Sequence, residues 1–119
     1  MLAITKEFRF DAAHSLPHYP EGHPNRRMHG HSFRCVVTLE GAADPATGLL
    51  RDLDAVEAAV AVVRARLDHH VLNEIEGLGA PTLENLAQFI FAALKPALPE
   101  LAAVTVIRDS YGQTCTWRP

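Results

Sequence analysis

Cysteine is scarce in this 119-residue chain: there are two, Cys35 and Cys115. Both fall in strand-like stretches of a protein expected in a reducing compartment, so they read as small buried hydrophobes rather than a disulfide. Basic residues are no more concentrated than cysteines. The 11 lysines and arginines are scattered and outweighed by 14 acids, for a net charge of −3. With no basic patch or stripe, neither nucleic acid nor an anionic membrane surface is an expected partner. No apolar run approaches the length of a membrane span. The start, Met1-Leu2-Ala3-Ile4-Thr5-Lys6, lacks the basic, apolar and small-residue sections of a secretory signal. The expectation is a cytoplasmic protein whose residues 1–119 form a single domain, long enough for one core and not for two.

Histidine is what the chain has in an informative arrangement. His29 and His31 flank Gly30. Alternate residues of a strand project to one face, so this spacing aims two imidazoles side by side, and Gly30 leaves room between them. A His-Gly-His can also be no more than a polar strand start. His14 closes the strand-like run Ile4 to Phe10, which can pair with Phe33 to Leu39 and bring a third imidazole to the other two. Three neutral imidazoles with one open position is a donor set for catalytic zinc.

Along the chain, Ile4, Phe8 and Phe10 alternate with Glu7 and Arg9 over residues 2 to 10, as in a half-buried strand. Residues 15 to 28, with three prolines, predict a long loop, and long loops in compact domains are usually functional. A second strand is expected from about His31 to Gly41, then a turn at Asp44-Pro45-Ala46-Thr47-Gly48. Asp52 reads as an N-cap, followed by Leu53, Val56, Val60, Val63 and Leu67 at helical steps up to Asp68-His69-His70. Thr82 reads as a second N-cap before Leu83, Leu86, Ile90 and Leu94, and this helix must stop near Lys95-Pro96. Ala103 to Arg108 and Gln113 to Arg118 read as strands around a Ser110-Tyr111-Gly112 turn. The predicted fold is α+β, in the order β-β-α-α-β-β, with a four-stranded antiparallel sheet and two helices on one face. Its exposed strand edges could be hidden by joining other subunits.

Several blocks resemble, in order, the 6-pyruvoyltetrahydropterin and 6-carboxytetrahydropterin synthases, most closely their queuosine-pathway branch. They are Phe10-Asp11-Ala12-Ala13-His14, Leu16-Pro17-His18, Pro20-Glu21-Gly22-His23, His29-Gly30-His31-Ser32-Phe33, Leu67-Asp68-His69-His70 and Pro81-Thr82-Leu83-Glu84-Asn85-Leu86-Ala87. The resemblance implies the tunnelling fold (T-fold) and zinc on His14, His29 and His31. It also implies trimers with a twelve-stranded barrel, stacked as a homohexamer, and a lyase-type rearrangement in the side chain of a reduced pterin such as dihydroneopterin triphosphate. There, zinc acts as a Lewis acid that makes a C–H bond of the pterin's side chain acidic, and a base removes the proton. By the same resemblance the base is a cysteine four residues before His-Gly-His, helped by an Asp-His pair, here Asp68 and His69, in which the carboxylate orients the imidazole. A histidine at a helix C-terminus can also simply complement the macrodipole, and for His70 that reading suffices.

The sequence departs from this pattern twice. Asn25 stands where the cysteine belongs, and an amide is no general base. Cys35 lies four residues along the strand from His31, about 13 Å away, too far to substitute. His23, Glu21 and His69 remain candidates for the base. Arg108 stands where the resemblance implies a glutamate gripping the amino and N–H edge of the pterin ring. Asp109 is one residue on and could serve only through a bulge. A guanidinium prefers an acceptor-rich or anionic partner. Glu84 and Thr82 match pocket positions of the family and are equally well explained as helix-capping residues. Two readings follow: a zinc-dependent pterin synthase-like lyase with altered base and ring anchor, or a catalytically idle homologue that binds a pterin- or purine-like ligand.

Overall fold

The computed structural model describes all residues from Met1 to Pro119. Its strands are β1 (Leu2–His14), β2 (His29–Gly41), β3 (Leu101–Arg108) and β4 (Gln113–Trp117), and its helices are α1 (Leu53–Leu67) and α2 (Leu83–Leu94). The strands form one antiparallel sheet in the order β1-β2-β3-β4. The β-β-α-α-β-β order and the α+β class expected from the sequence are therefore present. Two boundaries matter for the site. β1 runs four residues beyond Phe10 to end on His14, and β2 begins at His29 rather than His31, so that His14 and His29 pair directly across the strands.

Parity along the strands separates two faces. Phe8, Phe10, Ala12 and His14 of β1 share a face with His29, His31, Phe33, Cys35, Val37 and Leu39 of β2. In register with them come Val104 and Val106 of β3 and Cys115 of β4. The helices cover this face, and 23 buried apolar residues form the core, including Val56, Val60, Val63 and Leu67 of α1 and Leu86, Ile90 and Leu94 of α2. The other face is polar and carries Glu7, Arg9, Asp11, Ser32 and Arg34. The histidines thus continue an apolar stripe at the end of the sheet where core gives way to polar side chains, and His14 is the one polar residue that is fully buried.

Asp52 caps α1 by accepting the N–H of Asp54, and Thr82 caps α2 by accepting that of Asn85 at 3.2 Å. α1 stops at Leu67, because Asp68 turns extended and His69 is left-handed, with φ of 59°. The backbone from Asp68 then runs along the outer edge of β1. Asp68 Oδ1 accepts the N–H of Asp11, the N–H of His69 donates to the Asp11 carbonyl, and the N–H of Ala13 donates to the His70 carbonyl. Asn73 completes this zipper with two hydrogen bonds to the Ser15 backbone. Cys35 is buried, Cys115 is half-buried where full burial was expected, and both are free thiols.

Candidate metal centre and ligand cavity

His14, His29 and His31 offer ligand nitrogens that all lie within 4.8 Å of one another. The backbone fixes which nitrogens these are. His14 Nδ1 lies 2.8 Å from the carbonyl of Pro81, in the lead-in to α2, and His29 Nδ1 lies 2.7 Å from the carbonyl of Arg27. A carbonyl can only accept, so both Nδ1 atoms carry the proton and both Nε2 atoms of the neutral rings present lone pairs. These two Nε2 atoms face each other at 3.0 Å, and His31 Nε2 is buried with no hydrogen-bond partner. Facing lone pairs and an orphaned buried nitrogen call for a cation between them, so the donor set fits a metal such as zinc.

His14 and His31 are also held neutral. Burial, above all, lowers the pKa of His14, opposed by the Pro81 contact and helped by the charges of His29 and Arg108. Burial likewise brings His31 down to about 4, with His14, Arg108 and His29 contributing in that order. Neutral imidazole is the ligand form, so His14 and His31 stay ready as donors at moderately acidic pH.

Two cavities flank this cluster. One, of about 490 Å3, is lined by Asn25, Arg27, Met28, His29, His31, Arg108, Tyr111 and Gln113 with Pro24 and Gly30. Asn25 and Arg108 therefore share a cavity with two of the histidines. The other, of about 460 Å3, is bounded by Asp11, Gly30, Ser32, His69, His70 and Val71, and of the three clustered histidines only His31 reaches it. Asp11 and Ser32 belong to the uncovered face, where the Ser32 hydroxyl donates to the Asp11 carboxylate.

Asp68 and His69 are in contact, with Nδ1 3.0 Å from Oδ2, and Arg64 approaches the same oxygen at 3.2 Å. The Asp11 N–H, first among several donors and charges, holds the Asp68 carboxyl below its usual range. Asp68 therefore stays ionised and accepts from Nδ1, leaving His69 Nε2 as the basic atom. The His69 side chain is 79% exposed. His70 lies beyond the helix, and its Nδ1 donates to the Asp68 carbonyl at 2.8 Å, which closes the turn.

The remaining sequence candidates are placed elsewhere. His23 Nδ1 accepts the N–H of Asn25 at 3.0 Å and caps the short turn Pro24–Arg26, while Glu21 is exposed; neither lines either cavity. Thr82 acts as the cap of α2, and Glu84, exposed in its first turn, also lies outside both cavities. The β3–β4 register runs without a bulge to Arg108↔Gln113. Asp109 follows in a single helical turn and is clasped by Arg34, Nε to Oδ2 and a terminal nitrogen to Oδ1, both at 3.0 Å. It is thereby withheld from the cavity. Cys35 is no base either, since burial pushes its thiol up to about 12. Tyr111 and Gln113 of the cavity were not singled out from the sequence; the only signal was that Gln113 starts the strand facing Arg108.

The sequence profile of the family described as 6-pyruvoyl tetrahydropterin synthase matches residues 3–119. The protein belongs to that family. It is 42% identical to a 6-carboxy-5,6,7,8-tetrahydropterin synthase of Synechocystis sp. over 98% of this chain and 89% of that protein. It is 35% identical to the human 6-pyruvoyl tetrahydrobiopterin synthase over 63% of this chain and 54% of that protein. The fold superposes on the Caenorhabditis elegans 6-pyruvoyl tetrahydropterin synthase with a TM-score of 0.88 at 25% identity, covering 99% of this chain and 95% of that one. The four-stranded sheet with its two helices is thus the T-fold of this synthase family.

Proposed function

We propose that this protein is a zinc-dependent lyase of the pterin synthase type, acting on the side chain of a reduced pterin such as dihydroneopterin triphosphate. The observation that carries this reading is the cluster of His14, His29 and His31 with two Nδ1 atoms committed to carbonyls and the Nε2 atoms turned together. Zinc held there by His14, His29 and His31 would supply Lewis acidity toward the pterin's side chain. Asp68 orients His69 and stabilises its charged form, and His69 Nε2 accepts or relays the proton. Asn25 takes the place of the cysteine base and contributes hydrogen bonds only. Arg108 takes the place of the ring-gripping acid. Residues 1–119 form one domain in this proposal, which assembles as a cytoplasmic homohexamer on the queuosine route.

The second reading, an idle homologue that binds a pterin- or purine-like ligand, is favoured by Asn25 and Arg108 standing together in one cavity. Metal analysis of the purified protein, before and after substitution of His31 by alanine, tests the centre: about one zinc per protomer is expected, with marked loss in His31→Ala. Formation of 6-carboxytetrahydropterin from dihydroneopterin triphosphate separates enzyme from idle homologue. A metal-replete protein with no turnover above background decides for the latter.

A further inference from the structure

None of the ten residues around the Asn25–Arg108 cavity is an aspartate or glutamate, whereas two are arginines, Arg27 and Arg108. Neither arginine forms a salt bridge anywhere in the protein. Arg34, one strand away, is by contrast saturated by Glu7 and Asp109. The acid next to Arg108 in sequence, Asp109, is thus tied to Arg34 and kept out of the cavity. Arg108 is held instead by neutral groups. A terminal nitrogen donates to Gln113 Oε1 at 2.7 Å, and the guanidinium carbon lies 5.9 Å from the centre of the Tyr111 ring. Its Nε is buried and has no hydrogen-bond partner.

A positioned guanidinium with an unsatisfied buried donor, in a cavity without acids, is complementary to an oxyanion. Neutral pterin offers the opposite: its amino and N–H edge would set donors against donors. We propose that this cavity recognises an oxyanion, a carboxylate or phosphate group of the ligand. Arg108 makes the charge-assisted contact, Gln113 and Tyr111 fix its plane, and Arg27 adds a second positive charge. The proposal rests on the reading that the pterin-like ligand enters this cavity, and it names the group by which the ligand is held.

Calorimetric titration with pyruvate, inorganic phosphate, tripolyphosphate and unsubstituted pterin tests it, on the protein as purified and after EDTA treatment, at low and raised salt. At least one oxyanion should bind in both preparations and weaken with salt, and pyruvate against the phosphates tells which group is the source. Arg108→Gln should weaken that binding ~10-fold or more, the scale of one lost charge-assisted pair. Arg108→Lys should fall between, and Arg108→Glu should lose the oxyanions and gain affinity for pterin. Circular dichroism checks that each variant is folded, and Gln113→Leu, which frees the guanidinium without removing it, gives a second reading if Arg108→Gln is not. Oxyanion binding that is absent at millimolar concentration, unchanged in Arg108→Gln, or lost on EDTA treatment would overturn the proposal. The EDTA arm separates it from the metal reading: a protein without zinc can still show Arg108-dependent binding, and a zinc enzyme can fail to show it.

Discussion

Two neighbouring nitrogens decide what His14 and His29 can do: a carbonyl at Nδ1 leaves Nε2 as the only free donor. That arrangement makes the centre acid-sensitive in a definite direction. Burial lowers the pKa of His14 and His31, so in the pH range between the folded value, about 4 for His31, and the ordinary value near 6.5 the unfolded protein binds more protons than the folded one. Stability of EDTA-treated protein should therefore fall as pH drops through that window, and His31→Phe should flatten the dependence in thermal melts. Zinc affinity should hold through most of that window and fall as pH approaches the folded value, about 4 for His31, where protons compete for its nitrogen. A second residue-scale prediction concerns Asn25 and Arg108. Wild-type turnover of dihydroneopterin triphosphate should be slow, since a missing general base is commonly worth ~10²–10⁴-fold. Asn25→Cys alone should recover little, whereas Asn25→Cys with Arg108→Glu should recover much more because it restores base and ring anchor together. Full wild-type turnover would show that another residue, His69 first among them, already serves as a sufficient base. The histidine cluster could be anticipated because strand parity is written in a two-residue spacing. Tyr111 and Gln113 could not, because a local turn pattern sets Gln113 opposite Arg108 without showing that a cavity opens beside them.

At the scale of elements, the turn after α1 does more than end a helix. The zipper of residues 68–73 protects the end of β1 that carries His14, and it fixes Asp68 by the Asp11 N–H. Sequence periodicity located the helix up to Leu67. It could not show that Asp68 and His69 leave the helix, since that is set by hydrogen bonds to β1. A left-handed residue other than glycine carries strain of order ~1 kcal/mol, retained where the surrounding structure demands it. His69→Gly relieves this strain and loses only an exposed side-chain contact with Asp68, so its unfolding free energy should stay within about 1 kcal/mol of wild type while turnover falls ~10²-fold or more. A comparable drop in both would assign His69 a structural role instead. Thr82 gives the complementary case. Its hydroxyl caps α2, so Thr82→Ala should cost ~1 kcal/mol in denaturant unfolding and Thr82→Ser almost nothing.

The whole molecule is an elongated slab, 59 × 23 × 22 Å, with a radius of gyration of 15.6 Å. A compact domain of this length would have about 13.5 Å. The length comes from the β1–β2 hairpin, two strands of 13 residues each. β1 from Leu2 to Arg9 and all of β4 are sheet edges without a strand partner, and Leu2 and Trp117 on them are exposed. Edge strands of this kind are normally covered, which supports the proposed homohexamer; light scattering should give six protomers, and a monomer at micromolar concentration would count against it. Assembly also bears on the chemistry. His69 gathers with Asp11 and Ser32 of the uncovered face, whereas Asn25, His29 and Arg108 surround the other cavity, so a single protomer does not bring the Asp68–His69 pair to the ligand cavity. If the active centre is completed by a neighbouring subunit, two inactive variants should rescue each other. His31→Ala and His69→Ala, each inactive alone, should regain part of wild-type turnover when co-expressed and purified as mixed oligomers, because some centres then combine an intact metal site with an intact Asp68–His69 pair. Mixed oligomers as inactive as their parents would place both functions within one protomer.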